Sequence, residues 1–152
     1  LREQEKEKRL EQRQIAKERI PIIAKSLLEC KQGTTTIDEI TIELAESGKA
    51  NFCYSDSNNY DDVFHIGLGE VLCKSDPKMV YCGLFEQGEK IRAIVYAGDE
   101  ISKEKSAGDI VKSISQILGG AGGGSAKFAQ GGGTDKSKKE DAIKNAKSMI
   151  IE

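Results

Sequence analysis

The densest chemical signal in the sequence is a glycine-rich run, GGAGGGSAKFAQGGG, at residues 119–133. Eight of the chain's sixteen glycines lie in it, together with Phe128 and Gln130. Glycine lacks a Cβ and reaches positive φ at no steric cost, so a cluster of glycines lets backbone N–H groups approach a ligand closely. A concavity lined by N–H groups suits an anion, most often a phosphate. The run therefore predicts a phosphate-binding loop rather than a slack linker.

Two familiar phosphate-binding motifs do not fit this run. A Walker loop closes with Gly-Lys-Ser or Gly-Lys-Thr, and GAGGGS does not. A dinucleotide fingerprint follows a strand, whereas the segment before this run, SAGDIVKSISQIL, has the apolar spacing of a helix.

Lysines adjoin the glycine run, although the chain as a whole has a net charge of −2. Basic and acidic residues number nine and six in residues 1–31, five and thirteen in 32–101, and nine and six in 102–152. Lysines after Ser125 stand at six positions: Lys127, Lys136, Lys138, Lys139, Lys144 and Lys147. They form either a solvated helix face or a contact for a nucleic-acid backbone, and their position beside a phosphate-binding loop favours the second.

Other chemically capable residues indicate structural roles. His65 is the only histidine and has no nucleophile motif around it, so we interpret it as a structural or surface residue. The acid pairs 61–62 and 99–100 adjoin predicted helix starts, where carboxylates favourably meet the helix dipole. The four cysteines include no C-x-x-C pair, which predicts reduced thiols, buried for the most part, and no metal site; they are Cys30, Cys53, Cys73 and Cys82.

The first 32 residues predict a helical stalk. Residues 1–19 are rich in Glu, Lys, Arg and Gln, which favour helix, and Pro21 must then begin a new helix or kink the first one. An apolar stripe follows, at Ile20, Ile22, Ile23, Ala24, Leu27 and Leu28. Its members Ile20, Ile23 and Leu27 are the expected dimerisation contacts, and the alternative is a stalk that packs only on its own chain.

Residues 33–152 predict one α/β domain, with a mixed β-sheet flanked by helices. Residues 36–37 form either a strand leading into a helix capped near Asp38 or part of a helix throughout. A strand at 50–54, a helix at 60–73, a hairpin of 78–85 with 90–96 and helices at 106–118 and 137–150 follow. Gly67 and Gly69 weaken the helix at 60–73 and so indicate that it packs closely on the sheet.

The segment from Ser106 onward resembles the carboxy-terminal, DHH-associated domain of alanyl-tRNA synthetases. The matching features are AGD at 107–109, the glycines of 119–124, and AQGGG at 129–133. Earlier elements agree with that domain only in their order. The chain departs from the family pattern at Ala126 and Lys127, where a proline and an acid are common. In related phosphoesterases the glycine run commonly ends in His, but Ser125 stands here.

The resemblance implies a non-catalytic module that binds tRNA for alanine at its outer corner, dimerises, and links aminoacylation with editing. It implies RNA contact by Gly122, Gly123, Gly124, Ser125, Lys127 and Gln130, with electrostatic support from Lys136, Lys138 and Lys139. No cofactor is expected in this chain, whereas an alanine–tRNA ligase containing it would use ATP, magnesium and zinc. The alternatives are the substrate-binding half of a DHH-type phosphoesterase or exonuclease, and a purely structural dimerisation domain.

The sequence also leads to expectations about the location of the protein and the completeness of the chain. No apolar stretch approaches the roughly 20 residues that span a bilayer, and the first residues are too charged for a signal peptide. We therefore expect a cytoplasmic protein without a membrane partner. The chain begins at Leu1 inside a helical pattern, without an initiator Met, which predicts that it is a piece of a longer protein.

Overall fold

The computed structural model describes residues 2–29, 33–37, 40–46, 50–56 and 62–151. Within these ranges the chain forms four α-helices and seven strands. In chain order they are α1 (Arg2–Glu29), β1 (Gly33–Ile37), β2 (Ile40–Glu46), β3 (Asn51–Asp56), α2 (Asp62–Ser75), β4 (Met79–Gln87), β5 (Lys90–Ala97), α3 (Ala107–Ile117), β6 (Ala121–Gly124), β7 (Phe128–Gly133) and α4 (Lys139–Ile150).

The strands form one mixed sheet in the order β1-β2-β3-β4-β5-β7-β6. Strands β3 and β4 are parallel, and α2 connects them, whereas every other neighbouring pair is antiparallel. The α/β class with a mixed sheet is therefore confirmed. Strands β1 and β6 are the two edges.

Helices cover both faces of the sheet and enclose two apolar cores. On one face, α1 and α2 cover a core that includes Phe64 and Leu68 of α2 and Tyr81 of β4. On the other, α3 and α4 cover a core that includes Ile114 of α3 and Val95 of β5. We name these the α2 face and the α3 face. Because strand side chains alternate, each strand of the sheet contributes to both faces.

Helix α2 lies very close to its neighbours, as the glycines in it predicted. A Cβ on Gly67 would come within 2.6 Å of Ile20 Cδ1, and a Cβ on Gly69 within 2.8 Å of Tyr81 Cδ1. Both glycines are therefore needed for helix packing, at a cost in helix propensity of up to about 1 kcal/mol each.

The segment 33–46 corrects one expectation, because it forms a hairpin of β1 and β2 and no helix within its described residues. Its two strand sequences, GTTTI and ITIELAE, are rich in β-branched residues, which suit a pleated strand. The register places Thr36 opposite Thr41. Asp38, the expected helix cap, lies outside the described residues.

Helix α1 corrects one more expectation about the stalk and decides an alternative that the sequence left open. It runs as one helix through Pro21, so no new helix begins there. The three expected dimerisation residues, Ile20, Ile23 and Leu27, are buried in the core against α2 of the same chain, with exposures of 8%, 0% and 1%. In this fold those side chains cannot meet a second copy, and the last part of α1 belongs to the domain.

The remaining elements agree with the sequence predictions. Strands β4 and β5 form the expected hairpin, with Gly88 at φ 62° in its turn. Ser106 caps α3, and its side chain accepts a hydrogen bond from the Asp109 N–H. None of the helices in the described ranges is both long and apolar enough to cross a bilayer.

Candidate nucleic-acid interface

The glycine-rich run forms a β-hairpin, which corrects the expected phosphate loop. Strands β6 and β7 pair antiparallel, with Gly123 opposite Gln130, and β7 also pairs with β5. Most of these glycines therefore lie in extended ladders of the sheet rather than around a concave nest. The hairpin completes one end of the sheet, with β6 as the edge strand.

Close packing by α3 explains some of the hairpin glycines, and the hairpin's own backbone or β5 crowds most of the others. A Cβ on Gly122 would come within 2.7 Å of Ser115 Oγ, and a Cβ on Gly131 would collide with the same atom. Ser115 Oγ also accepts a hydrogen bond from the Gly132 N–H at 3.1 Å. The helix thus lies directly on the hairpin backbone, with Ser115 as the point of contact.

Gly123 is the exception in β6 and β7. Its φ is outside the left-handed region, and the nearest heavy atom to a Cβ placed there is Lys112 Cε at 3.8 Å. It is exposed. Among the described residues, neither backbone conformation nor packing requires glycine at this position.

Within the described residues, no helix packs on the α2 face of the β6–β7 hairpin. Helix α2 packs mainly on β4 and β5, whereas α3 covers β5, β7 and β6 from the other side. Gly122 and Gly131 turn toward α3, so by alternation their neighbours turn away from it. The register groups eight residues on this side, of which Ile94 is buried; apart from Ile94, Ala121 and Gly132, they form what we name the open face: Arg92, Tyr96, Gly123, Phe128 and Gln130.

Two cations at the hairpin have no acidic partner among the described residues. Arg92 is half-buried on β5 and, with Lys90, lines a pocket of about 290 Å³ whose other walls are 119–121 and 131–134. Lys112 is exposed on α3 and reaches the β6 edge beside Gly123. Sequence reasoning missed both, although Lys112 is the only basic residue of α3.

The lysines that the sequence singled out are already paired with acids. Lys127 Nζ lies 2.7 Å from Asp99 and Lys139 Nζ lies 2.6 Å from Asp56. Lys138 stands 4.0 Å from Asp141.

Lys136 Nζ donates a hydrogen bond to the Gly88 carbonyl at 2.9 Å and lies 3.8 Å from Glu86. It belongs to the β4–β5 turn rather than to the hairpin turn. Lys127 precedes β7 and Lys136 follows it, so about 17 Å separates the two ends of this six-residue strand. The structure does not bring the predicted lysines together.

The hairpin turn offers few free N–H groups. Ser125 Oγ donates to the Phe128 carbonyl at 3.1 Å and accepts from its N–H at 3.2 Å. The first N–H groups of α3 donate to the turn itself, from Ala107 to Ala126 and from Gly108 to Ser125. A phosphate at this helix start would have to displace those hydrogen bonds.

His65 lies in the core, as the structural interpretation expected. It has no exposed surface, and its ring stacks on Phe85 with centroids 5.2 Å apart. Its Nδ1 lies 2.7 Å from the Tyr81 hydroxyl and 3.2 Å from Ser55 Oγ. Burial lowers the pKa of His65 to about 3, so the ring is neutral at physiological pH.

The cysteines are poor nucleophiles. Cys53, Cys73 and Cys82 are free and buried, while Cys30 lies outside the described residues. Burial raises the pKa of Cys73 to about 12 and the pKa values of the other two further. Within the described residues, no group of three His, Cys, Asp or Glu side chains is placed to hold a metal ion.

Comparison with known proteins gives consistent matches. Residues 51–152 match the family described as the DHHA1 domain. The chain is 41% identical over 150 residues to an alanine–tRNA ligase of Nitrosopumilus maritimus, which covers 99% of this chain but only 16% of that relative. An alanine–tRNA ligase of Cenarchaeum symbiosum is 41% identical over 92 residues, 60% of this chain and 10% of that relative.

A solved structure matches as well. The C-Ala domain from Aquifex aeolicus alanyl-tRNA synthetase superposes with a TM-score of 0.67 and 25% identity, covering 72% of this chain and 99% of that domain. The chain therefore spans a small part of the curated relatives and nearly the whole of the solved domain.

Proposed function

Because the chain belongs to the DHHA1 domain family, we propose that it is the tRNA-binding module of an alanyl-tRNA synthetase. The predicted resemblance to the carboxy-terminal domain of that enzyme is confirmed by the family match, the related ligases and the C-Ala structure. The proposed parent is an alanine–tRNA ligase, to which this chain contributes RNA binding. The metal ions and ATP implied for the parent have no role in the steps proposed for this chain.

One observation carries the proposal: among the described residues, two cations without an acidic partner flank an uncovered strand edge, and this edge holds a glycine that the described fold does not require. Arg92 and Lys112 stand on either side of the hairpin, and Gly123 leaves room for a backbone to approach. RNA affinity comes largely from lysine and arginine contacts to phosphates. An arginine can hold a phosphate through two parallel hydrogen bonds.

The contact set implied by the resemblance is refined accordingly. Gly123 and Gln130 lie on the open face and keep their proposed role in RNA contact. Ser125 and Lys127 stand at the hairpin turn, where they can contact an RNA that extends past the open face. Gly122 and Gly124 act mainly through packing, as their crowded surroundings support.

The lysines beyond β7 have a weaker proposed role. Lys136, Lys138 and Lys139 lie near the opposite end of β7 from the hairpin turn and are paired with acids. They contribute to the field around a long RNA rather than to a phosphate contact at the hairpin turn. The outer corner of a tRNA is broad enough to reach both ends of the hairpin.

The test exchanges charge at matched positions. We expect Arg92→Glu and Lys112→Glu each to weaken binding of tRNA for alanine several-fold. Each should also reduce the slope of log affinity against log salt concentration by about one, the value for one lost phosphate contact. Lys144→Glu makes the same charge change on exposed α4, away from the hairpin, and serves as the control. Equal losses in all three variants would reduce the interface to general attraction, and unchanged binding in the first two would remove the open face from it.

A homodimer is the second part of the proposal. Because Ile20, Ile23 and Leu27 are buried within the chain, the contact would use the earlier part of α1, where Leu10 is 57% exposed. A second copy that covered Leu10 would remove this apolar side chain from water. Light scattering on the Leu10→Asp variant tests this contact.

A further inference from the structure

An aromatic pair lies on the open face at the end near the hairpin turn. Tyr96 on β5 and Phe128 on β7 stand directly opposite each other in the register. Their ring centroids are 5.3 Å apart and the rings are tilted by 51°. Both residues are partly exposed.

The core does not account for this pair. Phe128 belongs to neither apolar core, and Tyr96 only borders the one beneath α2. A half-exposed phenylalanine outside the core of a chain with four phenylalanines and no tryptophan suggests a binding role. Sequence reasoning placed Phe128 near a ligand but could not know that Tyr96 would be its neighbour.

Charged side chains surround the pair without blocking it. A pocket of about 240 Å³ beside Tyr96 is lined by Glu70, Lys74, Gly98, Asp99 and Lys127, among others. The lysines pair with the acids, Lys74 with Glu70 at 3.1 Å and Lys127 with Asp99 at 2.7 Å. Both lysine side chains are more than half exposed.

Exposed ion pairs of this kind contribute little stability, typically less than about 1 kcal/mol. Either lysine can therefore exchange its carboxylate for a phosphate at small cost. The result is an aromatic surface with two exchangeable cations at its border, which is the combination that proteins use to bind unpaired bases.

We propose that Tyr96 and Phe128 form a stacking platform for an exposed nucleobase of RNA, with Lys74 and Lys127 holding the adjoining phosphates. This inference rests on the proposed RNA-binding function and adds to it a contact with a base. The ligand is a base whose face is free, such as one at a loop or at the end of a stack. An A-form duplex, with its bases covered, offers the platform nothing.

Two variants of the 152-residue chain separate stacking from ordinary packing. Phe128→Leu keeps an apolar side chain and removes the π face, and we expect it to weaken binding of tRNA for alanine roughly tenfold or more. Phe128→Trp keeps the π face and introduces the only tryptophan of the chain. We expect that variant to retain its affinity and its emission to be quenched by tRNA, but not by inorganic polyphosphate at the same phosphate concentration.

Ile22→Ala, which truncates an apolar side chain that is 54% exposed on α1, is the control for loss of surface hydrophobicity. Unchanged affinity in Phe128→Leu, or unchanged emission of Phe128→Trp at saturating tRNA, overturns the stacking platform. If Phe128→Leu fails to fold, the emission of Phe128→Trp alone decides the question.

These results also separate the two proposals. A wild-type chain that binds tRNA and is insensitive to both changes at Phe128 retains its proposed function without the platform. A wild-type chain that binds no tRNA loses both. Quenching by polyphosphate as strong as that by tRNA would mean that binding of charge alone moves the ring, and would also contradict stacking.

Discussion

His65 connects α2 to the sheet through a small buried polar network. Its Nδ1 lies against the Tyr81 hydroxyl, which itself stands 2.5 Å from Ser55 Oγ. A Cβ on Gly83 would reach 2.5 Å from the same Nδ1, so the ring fills the space above that glycine. The ring nitrogen Nε2 has no hydrogen-bond partner among the described residues. A proton added here would be buried without compensation.

This burial predicts a loss of stability in mild acid. The folded-state pKa of His65, about 3, lies below the ordinary value of 6.5, so the unfolded chain binds the proton first. The contribution of His65 is therefore complete above pH 6.5 and is lost as the pH falls toward 3. We expect the free energy of unfolding to decrease by about 2 kcal/mol between pH 7 and pH 5 from this group alone.

Denaturant titrations at both pH values measure this contribution. The wild type is compared with His65→Gln, which cannot take up the proton. The difference between the free energies of unfolding of the two proteins should shrink by about 2 kcal/mol when the pH is lowered from 7 to 5. A difference that stays constant would mean that His65 is solvated or hydrogen-bonded when charged.

Two glycines of the hairpin, placed eight residues apart, should respond oppositely to alanine. In Gly123→Ala the new methyl group meets open space, and the unfolded chain loses freedom, so stability should rise by up to about 1 kcal/mol. In Gly131→Ala it collides with Ser115 Oγ and the Gly122 backbone, and stability should fall by about 1–3 kcal/mol or more. Thermal melting distinguishes these signs.

The Gly123→Ala variant also tests the role of Gly123 in binding. If Gly123 is kept for close approach of RNA, Gly123→Ala should bind tRNA several-fold more weakly despite its higher stability. An alanine variant that is more stable and binds equally well would leave this glycine without a function in the interface.

At the level of elements, the glycine hairpin shows where sequence reasoning ends. Glycine has low strand propensity, and GGG gives no alternation of side chains, so neither β6 nor β7 can be recognised locally. Their extended form depends on pairing with β5 and on α3 lying against them through Ser115. Segments with strong periodicity, such as α3 and the β4–β5 hairpin, were predictable, because their own side chains define the buried face.

The prediction for residues 33–46 failed for a related reason. Its Thr and Ile residues suit a strand, but Glu43 and Glu46 also suit a helix, and no local signal decides between them. Pairing with β3 decides it. Four residues of the predicted apolar stripe of α1 are buried, Ile20, Ile23, Ala24 and Leu27, whereas Ile22 is exposed. The sequence did not show whether the partner of the buried residues would be α2 or a second copy.

Helix α1 gives a direct test of its two halves. Leu27→Asp places an uncompensated charge in the core, so the domain should be destabilised by more than about 3 kcal/mol and lose its cooperative unfolding. Leu10→Asp changes an exposed residue and should leave the unfolding free energy within about 0.5 kcal/mol of wild type. Light scattering on Leu10→Asp then reports on the dimer without interference from unfolding.

A folded Leu27→Asp monomer would contradict this packing. It would mean that, in the wild type, α1 leaves the domain and pairs with another chain through its apolar stripe. A dimer that persists in Leu10→Asp would move the proposed contact to another part of the surface.

At the scale of the whole molecule, charge and helix cover both vary across the sheet. Helices pack on both faces around β3 to β5, where α2 contacts β4 and β5, α3 contacts β5 and α4 contacts β3, whereas the described part of the β7–β6 end packs mainly on α3. The acidic middle of the sequence supplies the carboxylates that pair the later lysines, such as Glu43 with Lys147 at 2.7 Å. Net charge therefore says little about the interface, and the few unpaired cations at the hairpin say more.

Only part of the candidate site could be predicted from the sequence, because its residues come from elements that are distant along the chain. The glycine run marked the region of the proposed interface, and the family resemblance supplied the proposed ligand. The members contributed by other elements, Arg92, Tyr96 and Lys112, become visible only when the sheet brings β5 and α3 to the hairpin. The ion pairs of Lys139 and Lys147 on the last helix could not be predicted, because their acidic partners, Asp56 and Glu43, are distant in sequence and near in space.

The most direct test of the central claim is a binding titration of the 152-residue chain at two salt concentrations. The ligands are tRNA for alanine, a minihelix of its acceptor arm without the outer corner, and an unrelated duplex. The proposal predicts tight, salt-dependent binding of the full tRNA and clearly weaker binding of the other two. Equal affinity for all three, or no binding to any, would contradict a module that recognises the outer corner of tRNA.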